Sequence, residues 1–449
     1  METSVQLIQE GCRMDSIYWE REIETLPRND IQELQLRRLR ETVSRVKNVH
    51  FYEEKFRESS FDLEKLRSTD SIRTLPFTTK TDLRNQFPYG LLAVPLEECV
   101  RVHTSSGTTG RVTAILHTKN DIDIWSNLVA RCLYGVGVRS TDVFQNSGGY
   151  GLFTGGLGFH YGAQKVGALT IPASAGNSKR QVQLMVDFGT TVIHIMPSFA
   201  LYLVKVFEKM RIDPMKGTKL RIMFLGAEPH SEETRKRIEG LYGVKAYNSY
   251  GLSEMNGPGT SFECQFREGL HIWEDNFMVE IIDPKADEPV PEGAVGELVY
   301  TTLAREAMPL IRYRSGDLAY FLPGPCPCGR NHRRISRIQG RVDDMIIWKG
   351  VNIFPMQIDG ILMDFPEVDG RYLIIIEDKD DIDQMTIQVE IKEEFQKGDK
   401  QKTEGLRRRI IDALQSELLV KPEVQFVPIG TVPVSEVEKA NRVIDKRRL

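Results

Sequence analysis

The sequence predicts an α/β protein in two parts. A large N-terminal domain over residues 1–342 carries mixed and parallel sheets crossed by helices, and a small α+β domain follows over residues 343–449. Three observations predict it. A chain of 449 residues is too long for one ordinary core. The middle alternates strand-like and helix-like runs in β-α-β-α-β order, the pattern of crossover connections in a mostly parallel sheet. Beyond 341–344 a separate run of strands and one long helix begins.

Residues 16–60 read as helical and strongly charged, with Leu34, Leu36, Leu39, Val43 and Val46 near helical spacing. A Ser/Thr/Gly-rich loop occupies 104–110. Thr191–Met196 is a β-branched strand closed by Pro197, and Phe199–Met210 is an amphipathic helix. Leu220–Leu225 is a strand closed by Gly226, and Ser231 caps the next helix with Glu232 and Glu233 in its first turn. Val244–Tyr247 is a third strand. Ligands of such sheets bind beyond the carboxyl ends of the strands, where Gly226 and Tyr250–Glu254 fall. Short strands and turns fill 296–325. The C-terminal part reads as strands Tyr372–Ile376 and Met385–Ile391, a helix Thr403–Leu419 and a strand Val424–Pro428, with Glu394–Gln401 as a solvated loop.

Composition excludes several classes. Hydrophobic content of 41% and charged content of 27% fit a globular chain, and a net charge of -4 gives no bulk attraction to nucleic acid or anionic membrane. No apolar run is long enough to span a bilayer, and Met1–Asp15 has no signal-peptide core. The six cysteines, Cys12, Cys99, Cys132, Cys264, Cys326 and Cys328, are too scattered for a disulfide scaffold, so a reducing cytoplasm is expected.

Five segments carry candidate chemistry. Thr104-Ser105-Ser106-Gly107-Thr108-Thr109-Gly110-Arg111 combines hydroxyls, glycine-permitted amides and a cation in a loop able to wrap triphosphate oxygens, without Walker P-loop spacing. In Asn248-Ser249-Tyr250-Gly251-Leu252-Ser253-Glu254 a ring able to stack on a base precedes a carboxylate able to hold Mg2+. Asp317, after Arg312–Gly316, can accept both hydroxyls of a ribose. Gly340–Ile346 with Lys349-Gly350 lies at the expected boundary, and Pro433–Arg442 contains Lys439. Taken alone, the phosphate-loop, Tyr250–Glu254 and Asp317 segments read more readily as ordinary turns or strand ends.

In this order and spacing the five segments resemble the adenylate-forming superfamily of acyl-CoA synthetases, adenylation domains and luciferases. More closely they resemble the phenylacetate–CoA ligase family, over nearly the whole chain. Leu75–Arg84, Gly149–Gly162 and Leu225-Gly226-Ala227-Glu228-Pro229 extend the match. The resemblance implies an adenylate-forming fold with a mobile C-terminal domain, and a reaction of ATP, an aryl acid and coenzyme A that releases AMP and pyrophosphate. It places Ser105, Ser106, Gly107, Thr108, Thr109 and Gly110 on the β- and γ-phosphates. Tyr250 takes adenine, Glu254 takes Mg2+, and Asp317 takes the ribose with Arg341 assisting. Ala227, Glu228, Gly251 and Ser253 complete the nucleotide site. Lys439 becomes the mobile cation between acid and α-phosphate, Asp343 the hinge, and Tyr150, Phe153, Gly226 and Ala227 the wall of a pocket for a flat aromatic acid. Two positions depart from the family pattern: Glu438 replaces the usual glycine before the lysine, and Arg111 replaces a lysine.

Cys264, His271, Cys326 and Cys328 supply the four soft ligands of a closed Zn2+ site, with His332 as a competing ligand; buried reduced thiols are the other reading. His103 reads as structural and His160 as a substrate contact without proton transfer, because the acid is already ionised. Two rival functions accompany the ligase: transfer of the acyl group to an amine or carrier thiol, and an ATP-binding relative impaired by Glu438. A homodimer is the expected assembly.

Overall fold

The computed structural model describes residues 17–105, 112–348, 351–379, 382–396, 400–433 and 442–448. The expected phosphate loop Ser106–Arg111, the segment Lys349-Gly350 and the positions Glu438 and Lys439 lie outside them. The fold is mixed α/β. Two compact units divide the chain, one formed by Met1–Pro172, Tyr247–Ser315 and Ala319–Arg337, the other by Ala173–Ala246, Gly316–Leu318 and Ile338–Leu449.

In the first unit the helix Arg28–Val46 begins after Pro27 and buries Ile31, Gln35, Leu39, Thr42, Val43 and Val46. That face is rotated from the expected leucine stripe: Leu34 and Leu36 are only partly covered. Two buried polar residues fix the rotation, Gln35 donating to the Phe277 carbonyl at 3.2 Å and Thr42 to that of Thr302 at 3.2 Å. Cys99–Thr104 and Ala114–Thr118 form an antiparallel hairpin. Thr118 caps the helix Lys119–Gly135 through a box with Asp121. The strands Val143–Asn146 and Leu169–Ile171 pair in parallel around the helix Thr154–Val166. Lys245–Leu252, Gly257–Glu263 and Leu270–Ile272 follow one another antiparallel, so the third expected strand runs on through Tyr250 instead of stopping at Tyr247.

In the second unit Val192–Ile195 and Ile222–Leu225 pair in parallel across the helix Pro197–Lys209, and both strands are fully buried, as strands covered on both faces must be. Ser231 caps the helix Glu232–Tyr242 by accepting from the Thr234 amide, as expected. Val368–Lys379 and Ile382–Ile391 form an antiparallel pair flanked by the parallel strands Val443–Asp445 and Glu423–Val427. With the helices Pro355–Met363 and Lys400–Leu418 they enclose a core that includes Ile358, Ile374, Ile387 and Ile410. The expected loop at 394–401 is partly helical, with Glu393–Gln396 one short helix and the long helix starting at Lys400; Glu, Gln and Lys favour helix over coil. No described helix is long and apolar enough to cross a membrane.

Candidate functional site

The expected phosphate loop springs from the tip of the hairpin. Its base is closed by Ser105, whose Oγ lies 2.7 Å from Thr113 Oγ1 and whose amide donates to the Thr113 carbonyl at 3.3 Å. The next strand residue ties this hairpin to the glycine-rich segment: the amide of Thr104 donates to the Leu152 carbonyl at 3.0 Å, and Nδ1 of the buried His103 meets the same oxygen at 3.0 Å. His103 is therefore structural, as read. Tyr150 is held by two neighbours, Asn146 Nδ2 donating to its hydroxyl at 3.1 Å and His160 Nδ1 lying 3.2 Å away. Burial pushes the Tyr150 phenol up to about 12 and holds the His160 imidazole below its ordinary value. Phe153 stands half exposed at the N-cap of the helix Thr154–Val166.

Tyr250 sits inside a strand, almost buried, with its ring centroid 6.4 Å from that of Tyr300. The pairing register slips between Tyr250 and Gly251, and a Cβ at Gly251 would lie 2.0 Å from the Gly257 carbonyl oxygen, so only glycine fits this bulge. Ser253 Oγ lies 3.3 Å from Thr154 Oγ1, joining two segments far apart in sequence. Glu254 is buried in a 3-10 turn, and no described residue bonds its carboxylate. Its backbone carbonyl accepts from Arg305 at 2.5 Å. Burial lowers the Arg305 guanidinium to about 10 against the opposing pull of Asp121 and Glu254. A buried carboxylate with no hydrogen-bond partner among the described residues, in the field of a fixed cation, suits a hard divalent ion. No local pattern marks Arg305 in the sequence; only the fold brings it to Glu254.

The remaining nucleotide candidates belong to the second unit. Ala227 follows the strand Ile222–Leu225 and Gly226 with φ +69, a left-handed conformation rare for a residue with a Cβ and common at ligand clamps. The Glu228 carboxylate accepts from the Ser198 amide at 2.6 Å and so caps the N-terminus of the helix Pro197–Lys209. Asp317 lies within a strand, not after a turn, because Tyr313–Ala319 pairs across to Gly340–Arg341 with Asp317 opposite Arg341. Arg341 NH1 donates to Asp317 at 2.6 Å and Nε to Asp343 at 2.8 Å, so one guanidinium joins the ribose candidate to the hinge candidate. Burial works against that charge, and Asp317, Asp343 and Asp344 together raise the Arg341 pKa.

The four expected zinc ligands come together. The ligand atoms of Cys264, His271, Cys326 and Cys328 all lie within 4.8 Å of one another, and all four residues are buried. Cys264 Sγ and Cys326 Sγ are 3.6 Å apart; Cys328 Sγ and His271 Nε2 are 3.4 Å apart. A tetrahedron with Zn–S of about 2.3 Å and Zn–N of about 2.05 Å puts sulfurs about 3.8 Å apart and sulfur and nitrogen about 3.5 Å apart, so the set fits zinc. His332 is not a ligand: its Nδ1 accepts from the Glu274 amide at 3.1 Å and its Nε2 meets the Ile23 carbonyl at 3.0 Å. Its carbonyl instead meets His271 Nδ1 at 3.3 Å, which turns Nε2 toward the thiols. Gly329, at φ +78, closes the Cys-Pro-Cys turn where a Cβ would lie 2.6 Å from the Tyr18 hydroxyl.

The AMP-binding enzyme family matches residues 28–303, and the AMP-binding enzyme C-terminal domain matches residues 350–447. A phenylacetate–coenzyme A ligase of Thermus thermophilus is 43% identical over 95% of this chain and 99% of its own length. One of Escherichia coli is 40% identical over 95% and 97%. A solved 2-hydroxyisobutyryl-CoA ligase in the postadenylation state is 30% identical, covers 97% of this chain and 93% of its own, and overlays with a TM-score of 0.91. In its thioesterification state with CoA it overlays at 0.71. The chain belongs to the AMP-binding enzymes and, within them, to the phenylacetate–coenzyme A ligase family.

Proposed function

We propose that this chain is an ATP-dependent acid–thiol ligase that converts a small aromatic acid, phenylacetate foremost, to its coenzyme A thioester through an acyl-adenylate. The observation that carries this reading is the identity of 43% to a phenylacetate–coenzyme A ligase over 95% of this chain.

A carboxylate oxygen of the acid attacks the α-phosphorus of ATP, and the bond to the bridging oxygen breaks as pyrophosphate leaves. The thiol sulfur of coenzyme A then attacks the acyl carbonyl, AMP leaves and the thiol proton goes to solvent. Two anions must meet in the first step, so preset charge and position supply most of the acceleration. Ser105–Gly110 hold the β- and γ-phosphates. Tyr250 stacks on adenine, and Gly251, Ser253, Ala227 and Glu228 serve the same nucleotide. Asp317 receives the ribose hydroxyls, and the Arg341 bond fixes that carboxylate's orientation. Glu254 would hold Mg2+, which would supply charge neutralisation at the phosphates; the absence of a described hydrogen-bond partner for its buried carboxylate supports the assignment. Tyr150, Phe153 and Gly226 serve the acyl group, and the bonds of Tyr150 to Asn146 and His160 keep that ring in place. Lys439 serves the first step, and residues 343–449 turn about Asp343 to admit coenzyme A for the second. Cys264, His271, Cys326 and Cys328 hold a structural Zn2+. The enzyme works as a homodimer in a reducing cytoplasm.

A pyrophosphate-release screen over aromatic and aliphatic acids, with and without coenzyme A, tests the reading. It predicts release with aryl acids alone and thioester only with coenzyme A. Adenylation without any acylation of free coenzyme A would assign the acyl group to another acceptor.

A further inference from the structure

Two stretches of the second unit, 173–246 and 346–443, each close their own apolar core, around Ile193, Phe199, Leu203 and Ile238 in one and Ile358, Ile374, Ile387 and Ile410 in the other. Polar contacts join them. Asp359, on the helix Pro355–Met363 and almost fully buried, points its Oδ2 at the N-terminus of the helix Glu232–Tyr242. That oxygen accepts from Ser231 Oγ at 2.7 Å, from Thr234 Oγ1 at 2.7 Å and from the Ser231 amide at 3.3 Å. Lys205 Nζ meets Asp369 Oδ2 at 2.5 Å, and Arg237 donates to the Val368 carbonyl nearby. A buried carboxylate at a helix N-terminus gains both charge-assisted hydrogen bonds and the helix dipole. A polar joint of this kind suits contacts that must form and release.

The same carboxylate faces the end of the segment that carries Lys439. Arg442 lies 4.5 Å over the Tyr372 ring, its carbonyl accepts from the Ile374 amide at 2.8 Å, and its charge is favoured by Tyr372, Asp359 and Glu228 against the cost of burial. Glu228 belongs to the nucleotide-binding candidates. The joined arrangement therefore sets Arg442 within the field of one nucleotide candidate, Glu228.

Resting on the ligase reading above, we propose that Asp359 is a positioning residue for the first half-reaction: its bonds to Ser231 and Thr234 latch the C-terminal segment in the adenylate-forming arrangement. Release of the latch precedes attack by coenzyme A.

The test compares the two half-reactions in the full-length enzyme. Asp359→Asn lowers phenylacetate-dependent ATP–pyrophosphate exchange about tenfold, equivalent to about 1.4 kcal/mol, and leaves thioester formation from supplied phenylacetyl-adenylate unchanged. Thr234→Val, which keeps the Ser231 cap of its helix, shifts the same ratio in the same direction. The double variant loses less than the two singles predict, because both remove one contact. A parallel fall in both half-reactions, or unchanged exchange in Asp359→Asn, overturns the latch while leaving the ligase reading intact. A wild-type enzyme without exchange for any acid removes the ligase reading, and the latch with it.

Discussion

The segment Ile17–Glu24 crosses the cysteine cluster, and one buried ion pair holds it there. Arg330, 3% exposed, donates to Glu24 at 2.7 Å and to the Ile17 carbonyl at 2.6 Å, while Tyr18 donates to the Cys328 carbonyl at 2.6 Å. Glu24 is 0% exposed, and its other oxygen accepts from the amides of Trp19 and Glu20 at 2.7 and 2.8 Å. Arg330→Met leaves that carboxylate buried without its cation, a loss of about 3–5 kcal/mol. The two amide bonds survive and place the cost near the lower end, about 3 kcal/mol, which raises the population with the strap detached about 150-fold. Hydrogen exchange read at the Trp19 and Glu20 amides measures that population directly, because Glu24 protects both. Arg330→Met combined with Glu24→Gln recovers most of the protection, since no unpaired charge remains. Equal exchange in wild type and the single variant, or a double variant worse than the single, would refute the reasoning.

We predict that the purified protein carries one Zn2+ per chain by atomic absorption and that Cys326→Ser loses it; at a thousandfold saturation the metal would contribute about 4 kcal/mol to stability, and a metal-free, equally stable wild type contradicts the site. Gly162→Ala places a methyl 2.4 Å from Val129 Cγ1 and 3.1 Å from the Ala130 amide nitrogen, so urea unfolding shifts by about 1–3 kcal/mol, with no shift the contrary result. Burial holds His194 down to about 3, whereas the unfolded chain titrates at about 6.5. The unfolded state thus binds a proton the folded state refuses, and stability falls as pH drops through about 6.5 toward 3, by up to about 1.4 kcal/mol per pH unit. His194→Gln flattens that slope in urea titrations between neutral and mildly acidic pH; an unchanged slope assigns it elsewhere.

Elements with strong local signals were legible in the chain. The β-branched run at 191–196, the helix expected over Phe199–Met210 and the Ser231 cap each follow from local backbone chemistry, and the structure places them within a residue or two, the helix starting at Pro197. The rotation of the helix Arg28–Val46 was not legible, because buried Gln35 and Thr42 answer to carbonyls at Phe277 and Thr302. The same holds at the candidate site. Four soft ligands could be counted from the sequence, but excluding His332 needs the Glu274 amide and the Ile23 carbonyl that occupy its ring. Arg305 and Asp359 carry no motif; each gains meaning from a partner more than fifty residues away in sequence.

Adenylation bonds a carboxylate oxygen of the acid to the α-phosphorus. Phenylacetate labelled with 18O in both carboxylate oxygens, incubated with the enzyme, ATP, Mg2+ and coenzyme A, tests it by mass spectrometry of the products. One labelled oxygen is expected in AMP and one in the thioester. Label in inorganic phosphate alongside ADP, or thioester formed with unlabelled AMP, would contradict it.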